Sequence, residues 1–148
     1  MVENGQQVPF KFLFGMPACV PATAYETSGA RLDAAAVREL LVGHGLHYLA
    51  EVMNFPDVLA GESEVLAKLR AAKDFRVPID GHAPGLRGEG ARRYAAAGPS
   101  TDHECYTLEE ALDKIAAGMK FQIREGSAAK NFAALHPLLT SHPDVCMF

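Results

Sequence analysis

Four reactive side chains follow apolar runs of the sequence, at points where strands are expected to end. They are Glu51, His82, His103 and Glu125. Imidazole and carboxylate groups together suit Zn, Fe or Mn, and a bound divalent ion lowers the pKa of water so that hydroxide forms near neutral pH. Nearby carboxylates can orient metal ligands or carry protons; these are Asp80, Asp102 and Glu104. The pattern indicates a metal site able to supply hydroxide.

The three central groups also have a structural interpretation. A lone histidine at a strand end is more often hydrogen-bonded within a loop than bound to a metal. His82 and His103, however, each follow an apolar strand and each has an acidic neighbour. An unpaired carboxylate at Glu51 is costly to bury, which favours a cation beside it. The metal interpretation and the loop interpretation therefore both stay open on the residues alone.

Other candidate groups carry weaker signals. Arg124 and Glu125 are most simply an ion pair, and Ser127 is most simply a helix cap. His44 and His47 are spaced HxxH, but they lie in a glycine-rich turn and the metalloprotease pattern HExxH is absent from the sequence. The sequence also contains no GxGxxG, P-loop or GxSxG motif.

Strands that alternate with helices must position these groups. Strands are predicted at residues 10–20, 46–53, 76–79, 100–105, 119–123 and 145–148. Helices are predicted to begin after Asp33, at Ser63 and at a Thr107–Glu110 capping box. Two more helices are predicted at 89–97 and at 127–139, the second with Ser127 as its cap. This alternation indicates parallel strands with crossover helices, which is the α/β class. Polar clusters at the carboxyl ends of strands are typical of a (β/α)8 barrel, which needs about 250 residues, so we predict a partial TIM-type barrel of about five βα units.

Composition narrows the class of protein. The chain has 148 residues, 49% of them hydrophobic, and a net charge of -4, which favours one folded domain and argues against binding to nucleic acid. The sequence contains no run of about 20 apolar residues, so no membrane-spanning helix is predicted. Residues 1–5 lack the basic-then-apolar order of a signal peptide. Three widely spaced cysteines fit free thiols in a reducing cytoplasm.

Five segments of the sequence resemble the bacterial adenine deaminases of the amidohydrolase superfamily. The matching segments are residues 16–23, 51–55, 80–86, 101–104 and 124–131. They occur in the order and approximate spacing of that family, and the resemblance covers nearly the whole chain. Any one segment alone is a weak signal, whereas the set is specific.

The resemblance implies a metal-dependent hydrolase that converts adenine and water to hypoxanthine and ammonia, by attack of metal-activated hydroxide at C6. It implies a (β/α)8 barrel with a two-metal centre that uses Mn, Fe or Zn. Glu51 matches the ligand of the fourth barrel strand, and His82 and His103 match those of the fifth and sixth. The Arg-Glu-Gly-Ser segment, residues 124–127, matches the seventh strand and is expected to face the substrate. On this basis the metal ligands are expected to be Glu51, His82 and His103, the catalytic carboxylates Glu51, Glu104 and Glu125, and the substrate-binding residues Arg124 and Ser127.

The sequence departs from the family pattern at several points. The first barrel strand of the family supplies a His-x-His pair, and no HxH occurs in these 148 residues. The family's eighth strand ends in a proton-accepting Asp, which has no counterpart here, and Ala18 stands where the family usually has Ser. Residues 1–148 are therefore interpreted as the central part of an amidohydrolase barrel, from about the third strand to the start of the eighth.

These departures lead to further expectations. The isolated chain is expected to be inactive or nearly so, and its two open sheet edges favour homo-oligomers or pairing with missing flanking segments. The expected partner is a small purine base, with no nucleic acid and no membrane. Two alternatives stay open: an amidohydrolase acting on another cyclic amidine or amide, and a non-catalytic βα scaffold.

Overall fold

The computed structural model describes residues 1–23 and 25–147, and its six strands alternate with helices. The strands are β1 (Gly15–Pro17), β2 (Tyr48–Val52), β3 (Ile79–Gly81), β4 (Thr101–Asp102), β5 (Lys120–Gln122) and β6 (Cys146–Met147). The helices are α1 (Val2–Gly5), α2 (Ala34–Gly43), α3 (Phe55–Ala60), α4 (Ser63–Asp74), α5 (Gly88–Ala97), α6 (Leu108–Ala116), α7 (Phe132–Leu135) and α8 (Leu138–Ser141), followed by a 3-10 turn at Pro143–Val145.

All six strands belong to one sheet in which spatial order follows chain order. Every neighbouring pair is parallel, and a helix precedes each return to the sheet, as in a (β/α)8 barrel. The predicted α/β class and partial TIM-type barrel are confirmed. In the described part of the chain, β1 and β6 each pair with a single strand. Across the same residues, none of the helices has the length and apolar character needed to cross a membrane.

The core lies between the sheet and the helices that cover it. The strand side contributes Met16, Leu49, Val52, Ile79, Phe121 and Ile123, and the helices contribute Val37, Leu41, Leu69, Tyr94, Ala111 and Leu135. Burial of apolar side chains from both layers is the main term that favours folding. It holds the strands in parallel register, so that their carboxyl ends open on one edge of the sheet.

Two of the predicted helix starts are confirmed by side-chain caps. Asp33 Oδ1 accepts the Ala36 N–H of α2 at 2.8 Å, and Thr107 Oγ1 accepts the Glu110 N–H of α6 at 3.2 Å. The second half of the predicted capping box is wrong. The Glu110 carboxylate does not return to Thr107; instead it accepts the backbone N–H of Gly85 at 2.8 Å.

Every strand is shorter than or displaced from its predicted range, and the first and third strands differ in ways that the backbone explains. The strand predicted at 10–20 pairs only over Gly15–Pro17, because β2 offers partners only at residues 48–50. Phe10 is 70% exposed and precedes the paired residues. The strand predicted at 76–79 begins three residues later, at Ile79, because Arg76 adopts a left-handed φ of 54° and Val77 still donates to the carbonyl of Ala72 at the end of α4.

The other differences concern the second half of the chain and two missed helices. The single helix predicted at 127–139 is two short helices, since Asn131 precedes the first and Pro137 separates it from the second. The strands predicted at 100–105, 119–123 and 145–148 are shorter, and Phe148 lies outside the described residues. Helices α1 and α3 were not predicted, although Asn54 caps α3 and Gly61 ends it in a left-handed conformation.

Candidate metal centre

Three neighbouring strands bring together the residues expected to bind metal. Glu51 lies near the end of β2, while His82 and His103 directly follow β3 and β4. His82 Nδ1 is 2.9 Å from Glu51 Oε1, and His103 Nε2 is 3.3 Å from the same oxygen. One ligand atom from each residue lies within 4.8 Å of the other two. The convergence predicted from the strand ends is therefore present.

An irregular backbone directs Glu51 towards the two histidines. Its φ is 33°, one of two left-handed non-glycine conformations among the described residues. The β2–β3 register shifts between Leu49 and Val52, so β2 carries an extra residue at this point. Strained conformations of this kind cluster at functional sites because the surrounding structure must hold them. The apolar run around Glu51 gave no sign of this bulge.

A buried tyrosine ties the ends of β2 and β3 together. The Tyr94 hydroxyl donates to the carbonyl of Val52 at 2.8 Å and accepts the backbone N–H of His82 at 3.1 Å. Burial raises the pKa of Tyr94 well above its ordinary value, so this hydroxyl stays protonated. Because Val52 follows Glu51, one hydroxyl fixes the backbone beside two of the three candidate ligands.

Replacing Tyr94 with phenylalanine is expected to lower the free energy of unfolding by about 1–3 kcal/mol, since it leaves a buried N–H and a buried carbonyl without their partner. Urea unfolding measures this change. The control is Tyr25→Phe, since Tyr25 is fully exposed, and it should change stability by less than about 0.5 kcal/mol. Equal effects of the two substitutions would contradict the tie between β2 and β3.

An acidic partner orients His103. Asp80 Oδ2 lies 3.6 Å from His103 Nδ1, and Thr101 Oγ1 donates to Asp80 Oδ1 at 2.6 Å. Asp80 raises the pKa of His103 against the opposing effect of burial. Burial opposes ionisation of Asp80, but the attraction of His103 and the hydrogen bond from Thr101 bring its pKa below the ordinary value. A proton on Nδ1 facing Asp80 leaves Nε2 available to a metal, which is the usual arrangement for a ligating histidine.

A second carboxylate stands beside both imidazoles. Glu104 Oε1 is 3.9 Å from His82 Nδ1 and 3.8 Å from His103 Nε2. The same oxygen lies 2.7 Å from Arg124 Nη2. The ion pair of Arg124 is thus with Glu104 on the neighbouring strand end, and the simple prediction of an Arg124–Glu125 pair is wrong.

The donor set fits a divalent cation. Two imidazoles and one carboxylate suit Zn, Fe or Mn, and the carboxylates of Asp80 and Glu104 lie beside the imidazoles. His82 Nδ1 is buried and has no hydrogen-bond partner, because its approach to Glu51 does not have the geometry of a hydrogen bond. A buried nitrogen without a partner is costly, and coordination to an ion at this position would satisfy it.

Comparison with known sequences agrees with this geometry. Residues 1–136 match the sequence profile described as the amidohydrolase family. The chain belongs to the amidohydrolase family.

Several curated relatives of this amidohydrolase chain carry the name adenine deaminase. The protein of Salinibacter ruber is 55% identical over 148 residues, which are 100% of this chain and 27% of the relative. That of Sulfurovum sp. is 53% identical over 148 residues, 100% of this chain and 28% of the relative. That of Methanosarcina mazei is 53% identical over 147 residues, 99% of this chain and 26% of the relative. The chain thus spans about a quarter of the length of these relatives.

Two of the residues predicted for the amidohydrolase site lie apart from the cluster. Glu125 and Ser127 are exposed on the turn after β5, where Glu125 Oε1 is 3.9 Å from Lys130 Nζ. Ser127 does not cap a helix, because α7 begins after Asn131. The catalytic role of Glu125 and the substrate-binding role of Ser127 stay predictions.

Sequence reasoning missed two buried side chains that support the amidohydrolase site. Asn131 Oδ1 accepts the Arg124 N–H at 2.7 Å, and its Nδ2 donates to the carbonyl of Cys105 at 3.2 Å, so it joins the loops after β4 and β5. Lys114 is fully buried beneath the loops after β3 and β4. Its spacing of four from Glu110 was the available signal, because such a pair on the apolar face of a helix implies a buried partner.

Proposed function

We propose that Glu51, His82 and His103 hold a divalent ion (Mn, Fe or Zn) in a hydrolytic site of the adenine deaminase type. The reaction is the conversion of adenine and water to hypoxanthine and ammonia. The observation that carries the proposal is the approach of three ligand atoms to within 4.8 Å of one another. The relatives named adenine deaminase, at 53–55% identity, support the choice of substrate.

The residues around the cluster suit this hydrolysis. A divalent ion held there would act as a Lewis acid and make hydroxide available near neutral pH. Glu104 Oε1, on the same side as both imidazoles, is placed to take a proton from the attacking water and return it to the leaving amine. The C6–O bond forms first, by addition to C6, and the C6–N bond breaks once the amine has received its proton, so that ammonia leaves. Arg124 fixes Glu104 through their ion pair and is proposed to contact the purine as well.

The finer assignments extend from this centre. Glu125 and Ser127, on the turn after β5, are proposed to reach the purine as a proton carrier and a hydrogen-bonding group. The family's two-ion centre requires more ligands than the three supplied here, since the 148 residues contain no HxH. Homo-oligomers formed through the edges of β1 and β6 are a further proposal. The free thiols of Cys19, Cys105 and Cys146 support a cytoplasmic location.

A segment exchange tests the proposed activity. Residues 1–148 replace the aligned segment of the Salinibacter ruber relative, so that Glu51, His82 and His103 come from this chain. The metal-loaded chimera is expected to release ammonia from adenine at on the order of 1–10 per second. The chimera with His82→Ala should lose about 100-fold or more of that rate, since substitutions one layer further out already cost 10–100-fold.

The controls for this exchange separate folding from chemistry. Circular dichroism and size-exclusion chromatography establish that both chimeras are folded, and metal content is measured separately. A folded, metal-loaded chimera that releases ammonia from another cyclic amidine but not from adenine would move the assignment to that substrate. A folded chimera whose metal content does not depend on His82 would instead favour a non-catalytic scaffold. The isolated 148-residue chain is expected to turn over far below about 10 per second.

A further inference from the structure

A buried lysine lies beneath the two loops that carry His82 and His103. Lys114 of α6 has no exposed surface. Its Nζ lies 2.8 Å from Asp102 Oδ2 and 2.8 Å from Glu110 Oε1. It also donates to the carbonyl of Ala83 at 2.6 Å and approaches Cys105 Sγ at 3.4 Å. Its partners lie at the end of β4, in the loops that follow β3 and β4, or on α6 itself.

Asp102 connects Lys114 to both of the loops that carry His82 and His103. Its Oδ2 accepts the Ala83 N–H at 3.2 Å, one residue after His82. Its Oδ1 accepts the Glu104 N–H at 2.7 Å, one residue after His103. Asp102 is itself fully buried and immediately precedes His103. One carboxylate therefore holds the backbone beside both imidazoles.

Glu110 completes the contact from the helix side. Its Oε1 accepts the Gly85 N–H at 2.8 Å, and its Oε2 accepts the Tyr106 N–H at 3.3 Å. Asp102, Glu110 and Lys114 are named here the lysine cluster. The lysine cluster joins residues 83–85 to residues 102–106 through four backbone N–H groups and the Ala83 carbonyl.

An apolar core would hold these loops together without three buried charges. Buried ion pairs contribute little net stability, because desolvation offsets their attraction, and apolar replacements are often as stable. Charged hydrogen bonds do, however, restrict donor and acceptor directions far more than apolar contacts. A group that fixes backbone direction beside two metal ligands has the property that ligand positioning requires.

We propose that Lys114, acting through Asp102 and Glu110, is a positioning residue that sets the separation of His82 and His103 for metal binding. The inference rests on the proposed function in that the positioned side chains are taken as metal ligands. Lys114 touches neither the imidazoles nor the substrate position. Its effect reaches the ion through the backbone at Ala83 and Glu104.

Co²⁺ binding by the full 148-residue chain tests the proposal through its d–d absorption spectrum. Lys114→Met is expected to weaken Co²⁺ binding by about 10- to 100-fold and to change the intensity of the d–d bands. The double variant Lys114→Met/Glu110→Met removes opposite charges together and leaves Asp102 on its two backbone N–H donors, so it should fold even if the single variant does not. It is expected to show a similar loss of Co²⁺ affinity.

The matched control is Leu41→Ala, which creates a cavity in α2 against β1 and α4, away from the lysine cluster. It should destabilise the chain yet keep the Co²⁺ dissociation constant within about twofold, because distant sites act independently. Folded lysine-cluster variants that bind Co²⁺ as tightly as this control overturn the positioning role.

Hydrogen exchange of the metal-free chain separates this inference from the proposed function. In the lysine-cluster variants, the amides of Ala83 and Glu104 should exchange faster relative to those of β2, whereas Leu41→Ala should not single them out. If the wild-type protein does not bind Co²⁺ through His82 and His103, the proposed function is wrong. The hydrogen-exchange result still decides in that case whether Lys114 orders the two loops. Unchanged exchange at both amides overturns the inference.

Discussion

Replacing His103 with alanine is expected to weaken metal binding by about 100-fold or more. Substituting a residue that only hydrogen-bonds to a metal ligand already lowers metal affinity about 10–100-fold. His103 offers its Nε2 at 3.3 Å from Glu51 Oε1, and its other ring nitrogen faces Asp80. Alanine removes a proposed ligand and leaves the Asp80 carboxylate with Thr101 but without its imidazole partner. Calorimetric titration with Zn²⁺ or Mn²⁺ measures the dissociation constant.

His47→Ala is the matched control for this loss. His47 is exposed and precedes β2, so it lies at the opposite end of the strand from Glu51. The substitution removes an identical imidazole and should leave metal affinity within about twofold. The metal centre would be refuted by a His103→Ala protein that binds as tightly as wild type, or by an equal loss on changing His47.

The positions of the three candidate ligands were predictable because parallel strands share a direction. Glu51, His82 and His103 follow successive apolar runs, and the carboxyl ends of neighbouring parallel strands meet at one edge of the sheet. That argument needs only the order of strands along the chain. It does not depend on strand boundaries, so shortening or shifting the strands by several residues left it unaffected.

The partners of charged residues were less predictable, because sequence neighbours seldom face one another after a strand. Arg124 and Glu125 are adjacent, but successive side chains of an extended chain point to opposite faces. Arg124 therefore meets Glu104 from the neighbouring strand end, and Glu125 meets Lys130. Such pairs depend on strand register, which one sequence does not specify.

Buried polar groups were the least predictable part of the site. Lys114 lies on a helix with many charged residues, and its spacing of four from Glu110 occurs in solvated ion pairs as well as in buried ones. Its burial follows from Asp102, which is twelve residues away and on another element. The left-handed conformation of Glu51 is equally difficult to predict from sequence, because the bulge depends on how β2 pairs with β3. Long-range pairing determines both features.

Gly81→Ala is expected to lower the free energy of unfolding by about 3 kcal/mol, at the upper end of overpacking costs. A Cβ at Gly81 would lie 2.3 Å from the carbonyl oxygen of Thr101, with Tyr94 at 3.2 Å. The closest atom belongs to the backbone of β4, so no rotamer change relieves the contact. Thermal unfolding should show a midpoint about 6–12 °C lower.

The same substitution should also reduce metal affinity, because the strain falls on the pair of strands that carries the imidazoles. Gly81 and Asp102 pair with each other as the last residues of β3 and β4. His82 directly follows Gly81, and His103 directly follows Asp102. Separating the strands to admit a methyl group therefore separates the ligands.

Gly43→Ala is the control, since it adds the same methyl group to a glycine that has no atoms close to it. Gly43 ends α2, and a Cβ there meets no atom within 4 Å, so alanine should raise stability by about 0.5–1 kcal/mol through helix propensity. If Gly81→Ala were as stable as Gly43→Ala, β3 and β4 would have to lie further apart than the structure places them. The distance that brings His82 and His103 to a common ion would then be lost as well.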